Sequence, residues 1–157
     1  MTAERALRLA LVAAGARLSA AGLILPGEGN LSVRLDSERC LVTPAGCDKG
    51  RLRATHLVVQ SVAAAPVPGS SVETLLHLAV YRARPDVGAI VHAHPRAVLA
   101  LAARGSAPDP SLLLEGEALL GPVGRVEPAA PGSPELAQRV AAALTERDAC
   151  VLDRHGV

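Results

Sequence analysis

Gly88-Ala89-Ile90-Val91-His92-Ala93-His94-Pro95 is a short apolar run that ends in two histidines and a proline. Bounded by the Pro85-Asp86 breaker and by Pro95, it is too short for a buried helix and reads as a buried strand. On a strand, residues two apart project from the same face, with Cα atoms about 7 Å apart. His92 and His94 would therefore stand side by side at a strand end, close enough to chelate one ion. Neutral imidazole is the commonest ligand for borderline divalent metals. An isolated His-x-His is more often two unrelated histidines, so the rest of the chain has to decide.

Upstream, Ser70 or Ser71 can cap a helix running to about Arg84, with Glu73 in its first turn and His77 one turn further on. Downstream, Pro95 suits the first turn of a helix to about Arg104. Thr2 begins a helix rich in Ala and Leu that stops at Gly22. Leu31 to Leu35 alternates apolar and polar residues, and 40–43 is its hairpin partner across Asp36-Ser37-Glu38. Leu57 to Val59, 123–126 and 149–152 are further strands, and Ser133-Pro134-Glu135 opens a last helix to about Thr145. The Pro- and Gly-punctuated region from Ser106 to Gly132 offers nothing else regular. Helices and strands interleave, yet several neighbouring strands are joined by short turns. A mixed, largely antiparallel sheet with helices on its faces follows, not a doubly wound parallel one.

Composition narrows the function. Half of the 157 residues are hydrophobic, but only 1% are aromatic, with one Tyr and no Phe or Trp. No stacking platform exists for single-stranded nucleic acid, and a net charge of +1 gives no field for phosphate backbones. Nucleic acid is excluded as a partner. Cys40, Cys47 and Cys150 form no C-x-x-C pair and read as reduced thiols of a cytoplasmic protein. The N-terminal stretch carries Glu4, Arg5, Arg8 and Arg17, which suits an amphipathic helix, not a signal peptide or membrane span.

His155 also sits just past a strand, beside Gly156. Three histidines and one carboxylate would make a metal site with room for substrate. Glu73 on its own reads as a carboxylate at a helix N-terminus, and His77 is open between ligand, partner of a ligand and buried structural histidine, with the last favoured. His56 reads as a surface residue. Gly29-Asn30-Leu31-Ser32 and Thr43-Pro44-Ala45-Gly46 are tight turns whose N–H groups can form an anion-binding concavity, with Ser71 near a helix N-terminus. Ordinary turn chemistry explains each equally well.

In order along the chain these pieces, with Ser71-Val72-Glu73, Arg84-Pro85-Asp86, His92-Ala93-His94-Pro95 and His155-Gly156, resemble the class II aldolase/adducin family. The resemblance covers essentially the whole chain, residues 1–157, as a single domain of that kind that is short at its C-terminal end. It implies a three-layer α/β/α sandwich around a central, mainly antiparallel mixed sheet, in a homotetramer. Position by position, His92, His94, His155 and Glu73 match metal-binding residues, Glu73 also matches the acid/base, and Asn30, Gly46 and Ser71 match phosphate-contacting positions. The implied activity is aldehyde-lyase cleavage of a small ketose or ketose phosphate through an enediolate stabilised by a divalent metal, foremost zinc. Epimerisation or dehydration of a related ketose keeps the same metal site. A non-catalytic adducin-like assembly module is the alternative from another class.

Three departures qualify this. Ala45 and Val72 stand where relatives carry hydroxyl residues. The 111–114 stretch holds no tyrosine where the fuculose-phosphate enzymes have a catalytic one. Only two residues follow His155, which would leave that ligand on a fraying end and make its bond to metal weaker than those of His92 and His94.

Overall fold

The structure, a computed structural model, describes residues 2–157. Its first helix, α1 (Ala3–Ala20), is capped by Thr2, whose hydroxyl accepts from the Arg5 N–H at 3.4 Å. Past its C-cap Ala21 the chain turns at Gly22, whose φ of 67° is costly for any residue with a Cβ. Leu11 of this helix packs on Leu31, Leu41 and Leu57, which form one buried cluster.

Leu31 and Leu41 belong to a four-stranded antiparallel sheet. Its strands are β1 (Asn30–Arg34), β2 (Arg39–Val42), β3 (Val58–Ser61) and β4 (Ala89–His92), in the order β3-β2-β1-β4. The opposite face is covered by α2 (Thr74–Ala83), where Leu78 and Tyr81 pack on Cys40 and Val42. Both sheet faces are thus covered. The alternation of β1 divides an apolar contact with α1 (Leu31, Val33) from a polar contact with α2 (Ser32), not inside from outside.

After β4, a helix α3 (Arg96–Ala103) leads through an irregular stretch to α4 (Leu114–Leu120), which the sequence pattern does not suggest. A second, two-stranded sheet pairs β5 (Val123–Val126) with β6 (Ala149–Leu152) in parallel, connected by α5 (Pro134–Ala143). Ser133 caps α5 by accepting from the Leu136 N–H. Leu136 and Val140 of α5 meet Leu76 and Val80 of α2, together with Val126 and Leu152. Each such fully buried side chain contributes about 1.5–3 kcal/mol. The helix layers and the mainly antiparallel sheet agree with the expected sandwich.

β4 and β6 do not pair along their length. A cleft of about 500 Å3 separates them, floored by Leu76 and Val80. They are joined at one end only, where the chain after β6 turns back. There Leu152 and Gly156 exchange two backbone hydrogen bonds, and so do Ala93 and Val157. The sheet ends are thereby brought together where the histidines lie.

Candidate metal centre

Antiparallel pairing of β1 with β4 sets Asn30 opposite His92, and both project towards α2. Gly29 permits this approach. A Cβ there would lie 2.5 Å from the His92 carbonyl oxygen, and the residue's φ is +61°. Glu73 comes from the other layer. The sequence places it inside the first helical turn, but α2 starts at Thr74 and Glu73 is its N-cap, with no cap bond from its side chain. The reason is that its carboxylate is engaged elsewhere. Oε2 accepts from the Asn30 amide at 3.0 Å and lies 3.0 Å from His92 Nε2.

His94 Nε2 stands 3.0 Å from His92 Nε2, and His155 Nε2 lies 3.2 Å from Glu73 Oε1. The ligand atoms of His92, His94 and His155 all fall within 4.8 Å of one another. The expectation of a fraying His155 is not met. Its own N–H bonds to the Leu152 carbonyl, and the residues after it are held by the paired bonds to Leu152 and Ala93.

A divalent cation fits this donor set. The His92 Nδ1–H donates to the Val157 carbonyl at 2.8 Å, so the neutral ring would keep its lone pair on Nε2. The 3.0 Å approach of that nitrogen to Glu73 Oε2 requires something positive between them, either a proton on a charged imidazolium or a metal ion on the neutral ring. Glu73 Oε1 is buried with no hydrogen-bond partner, and so is His155 Nδ1. A buried carboxylate oxygen with no hydrogen bond and an imidazole nitrogen 3.2 Å away is costly in a purely structural cluster and ordinary in a ligand set.

Burial pushes the Glu73 carboxyl up, but the hydrogen bond and charge of His92, the charge of His155 and the Asn30 amide outweigh it. The result is a pKa of about 2, so the group is anionic at neutral pH. Burial lowers His94, helped by the charges of His92 and His155. Burial also lowers His155, against the upward pull of Glu73. Both rings are thus biased towards the neutral form that binds metal.

The family model for the class II aldolase and adducin N-terminal domain matches residues 9–157. The chain belongs to this family. It is 35% identical over 148 residues to a 3-oxo-tetronate 4-phosphate decarboxylase of Haemophilus influenzae, covering 87% of this chain and 68% of that one. It is 39% identical over 120 residues to a methylthioribulose-1-phosphate dehydratase of Granulibacter bethesdensis, covering 73% of this chain but only 56% of the relative. Among solved structures, the L-fuculose-1-phosphate aldolase of Thermus thermophilus superposes with a TM-score of 0.88 at 39% identity, covering 96% of this chain and 76% of that one.

The other residues singled out in this class II aldolase-family chain are brought together less tightly. The Thr43-Pro44-Ala45-Gly46 turn is stitched to the segment before α2 by the Pro44–Ser70 bridge and by the bonds from Ala45 N–H to Gly69 and from Ser71 N–H to Thr43. Gly46 is exposed and Ser71 half-buried. Ser71 lies before the helix, and its hydroxyl accepts from the Glu73 N–H at 3.4 Å. Asn30 is buried and spends its amide on Glu73 and His77.

Three residues at the site, Glu28, Ser32 and Tyr81, are given no role by the sequence reading. Glu28 approaches His94 Nδ1 at 3.8 Å, and Ser32 and Tyr81 join His77 behind Asn30. A cue existed for Ser32 and Tyr81. Glu73, His77 and Tyr81 are spaced four apart on one helix face, and Asn30 and Ser32 are spaced two apart on one strand face.

Proposed function

We propose that this protein is a metal-dependent aldehyde-lyase of the class II aldolase type, cleaving a small ketose or ketose phosphate. The observation that carries this reading is the cluster of His92, His94 and His155 beside the buried Glu73 carboxylate, whose Oε2 lies 3.0 Å from His92 Nε2 and whose Oε1 lies 3.2 Å from His155 Nε2. These four residues would hold the ion, and zinc suits an imidazole-rich set with one carboxylate. When bound, a divalent ion supplies Lewis acidity to the negative charge that develops on substrate oxygen as a carbon–carbon bond breaks.

The chain itself supplies the rest. Glu73 is anionic, so it can accept a proton from a substrate hydroxyl. The Val157 carbonyl fixes the His92 tautomer. The turn containing Gly46 and the segment containing Ser71, tied together by backbone bonds, form the surface offered to a phosphate. The exposed leucines Leu112, Leu113, Leu114 and Leu119 support assembly into an oligomer, a homotetramer in this reading. The free thiols Cys40, Cys47 and Cys150 support a cytoplasmic setting.

A second reading is dehydration of a related ketose phosphate. It is favoured by the absence of an available phenolic acid. Tyr81 is the only tyrosine, and it is buried behind Ser32. Metal analysis of the purified protein and of His92→Ala, followed by parallel retro-aldol and dehydration assays on ketose phosphates, tests both readings. About one divalent ion per chain, lost in the folded variant, with aldehyde release by the native protein, is the expected result. Water loss without carbon–carbon cleavage would transfer the assignment to dehydration. Native metal content in His92→Ala would overturn the site.

A further inference from the structure

Behind Glu73 runs a line of buried polar side chains that ligation and proton transfer at Glu73 do not account for. The Tyr81 hydroxyl lies 2.8 Å from Ser32 Oγ, and Ser32 Oγ lies 2.6 Å from His77 Nδ1. His77 Nε2 meets Asn30 Oδ1, and Asn30 Nδ2 donates to Glu73 Oε2 at 3.0 Å. Asn30, Ser32, His77 and Tyr81 are each 3% exposed or less.

The direction of every bond follows from the carboxylate end. Glu73 is anionic and only accepts, so the Asn30 amide must turn its NH2 towards it. A flipped amide would set Oδ1 against Oε2. With NH2 committed, Oδ1 faces His77 and can only accept, so His77 Nε2 must carry the proton. A neutral ring then has its lone pair on Nδ1, which takes the Ser32 O–H. Ser32, having used its one proton, accepts from Tyr81. Burial holds His77 far below the usual imidazole range, at about 3, so the ring is neutral as this scheme requires.

We propose that His77 is a positioning residue: fixed as its Nε2–H tautomer by Ser32 and Tyr81, it locks the Asn30 amide and so aims the Glu73 carboxylate at the three histidines. Asn30 would otherwise be free to rotate by half a turn. Glu73 sits at a helix cap with no bond of its own to the helix end, and the amide is the one neutral donor on its carboxylate. Removing the lock leaves Oε2 without a fixed partner and lets Oε1 leave the imidazole cluster. Partners of this kind change metal affinity by about ten- to a hundred-fold.

The inference rests on the metal-site reading, and its test separates the two. The purified protein, stripped and reloaded with zinc under a competing chelator, gives a Kd for the native chain, His77→Gln and His77→Leu. Gln offers an N–H near the position of Nε2, whereas Leu keeps the volume and offers none. The expected result is near-native affinity for His77→Gln and about ten- to a hundred-fold weaker binding for His77→Leu. Equal affinities for the native chain and His77→Leu, or equal losses in both variants, would overturn the positioning role. No zinc binding by the native chain would instead overturn the metal site. Should His77→Leu fail to fold, 15N NMR of the native imidazoles decides. A neutral His77 protonated on Nε2 and not on Nδ1, unchanged across neutral pH, is required, and the opposite tautomer or a charged ring refutes it.

Discussion

Gly156→Ala should disable the metal centre without touching any ligand. A Cβ at Gly156 would stand 2.5 Å from the Ala93 carbonyl oxygen, 2.7 Å from His94 Cδ2 and 3.0 Å from His92 Cε1. An unstrained carbon–oxygen approach is about 3.3 Å, so the turn must retreat by about 0.8 Å from Ala93 alone. The imidazole atoms could swing, but the Ala93 oxygen is backbone, held by the Val157 N–H at 2.9 Å. Retreat of the turn therefore strains the Ala93–Val157 pair and carries His155 with it. Metal–ligand distances tolerate only about 0.2 Å, several times less than this displacement. Overpacking of this kind costs about 1–3 kcal/mol, which in a domain of this size lowers Tm by roughly 2–12 °C. We expect a Tm drop in that range for the metal-free protein, and zinc affinity at least about ten-fold weaker by chelator competition. A variant that melts and binds zinc like the native chain would show that the His155 turn does not pack on the His92–His94 strand as described.

Further outcomes follow from other parts of the molecule. His77 has a pKa of about 3 in the fold against 6.5 ordinarily. Its neutral burial thus stabilises above pH 6.5, and the benefit is lost by about 1.4 kcal/mol per unit as pH falls from there towards 3. Glu73, depressed from 4.5 to about 2, adds a loss of the same sign between those values. Metal-free native protein should melt progressively lower from pH 7 to 4, and His77→Gln should flatten the slope above pH 4.5; an equal slope would show that His77 is not held neutral. Ala45→Ser, restoring one hydroxyl beside Gly46, should raise the kcat/KM preference for a phosphorylated over a free ketose by roughly two- to twelve-fold, the worth of one neutral hydrogen bond. No change would place the phosphate elsewhere. Leu114 and Leu119 are 84% and 83% exposed, and replacing both by Asp should reduce the molar mass measured by light scattering if this face joins subunits. An unchanged mass would exclude it.

What the sequence conceals here is mostly what lies between segments far apart along it. The strand 149–152 is legible as a short apolar run before the Asp153-Arg154-His155-Gly156 turn, and 123–126 as a valine pair bounded by Pro122 and Pro128. The start of α2 is not, because serines near 70 look like caps while the true cap position is taken by Glu73, whose side chain is drawn off by Asn30 and His92. Helix α4 is missed because it is seven residues long with exposed leucines at both ends, so no apolar stripe marks one face. The firmness of the His155 turn is equally invisible. It depends on Ala93 bonding to Val157, a pairing that no local pattern announces.

The polar stripes on β1 and α2 bear on why the carboxylate sits as it does. Asn30 and Ser32 on the strand, and His77 and Tyr81 on the helix, occupy a layer that elsewhere holds Cys40, Val42 and Leu78. Apolar residues would pack there at no desolvation cost, whereas a buried polar network is tolerable only when each member is satisfied. From the Tyr81 hydroxyl through Ser32, His77 and Asn30 to Glu73 Oε2, every bond has a donor and an acceptor. Hydrogen bonding stops at Glu73 Oε1, the oxygen 3.2 Å from His155 Nε2. A network serving only the core would have no reason to end on a buried carboxylate set against imidazoles. One that holds an anion in place for a cation must end that way.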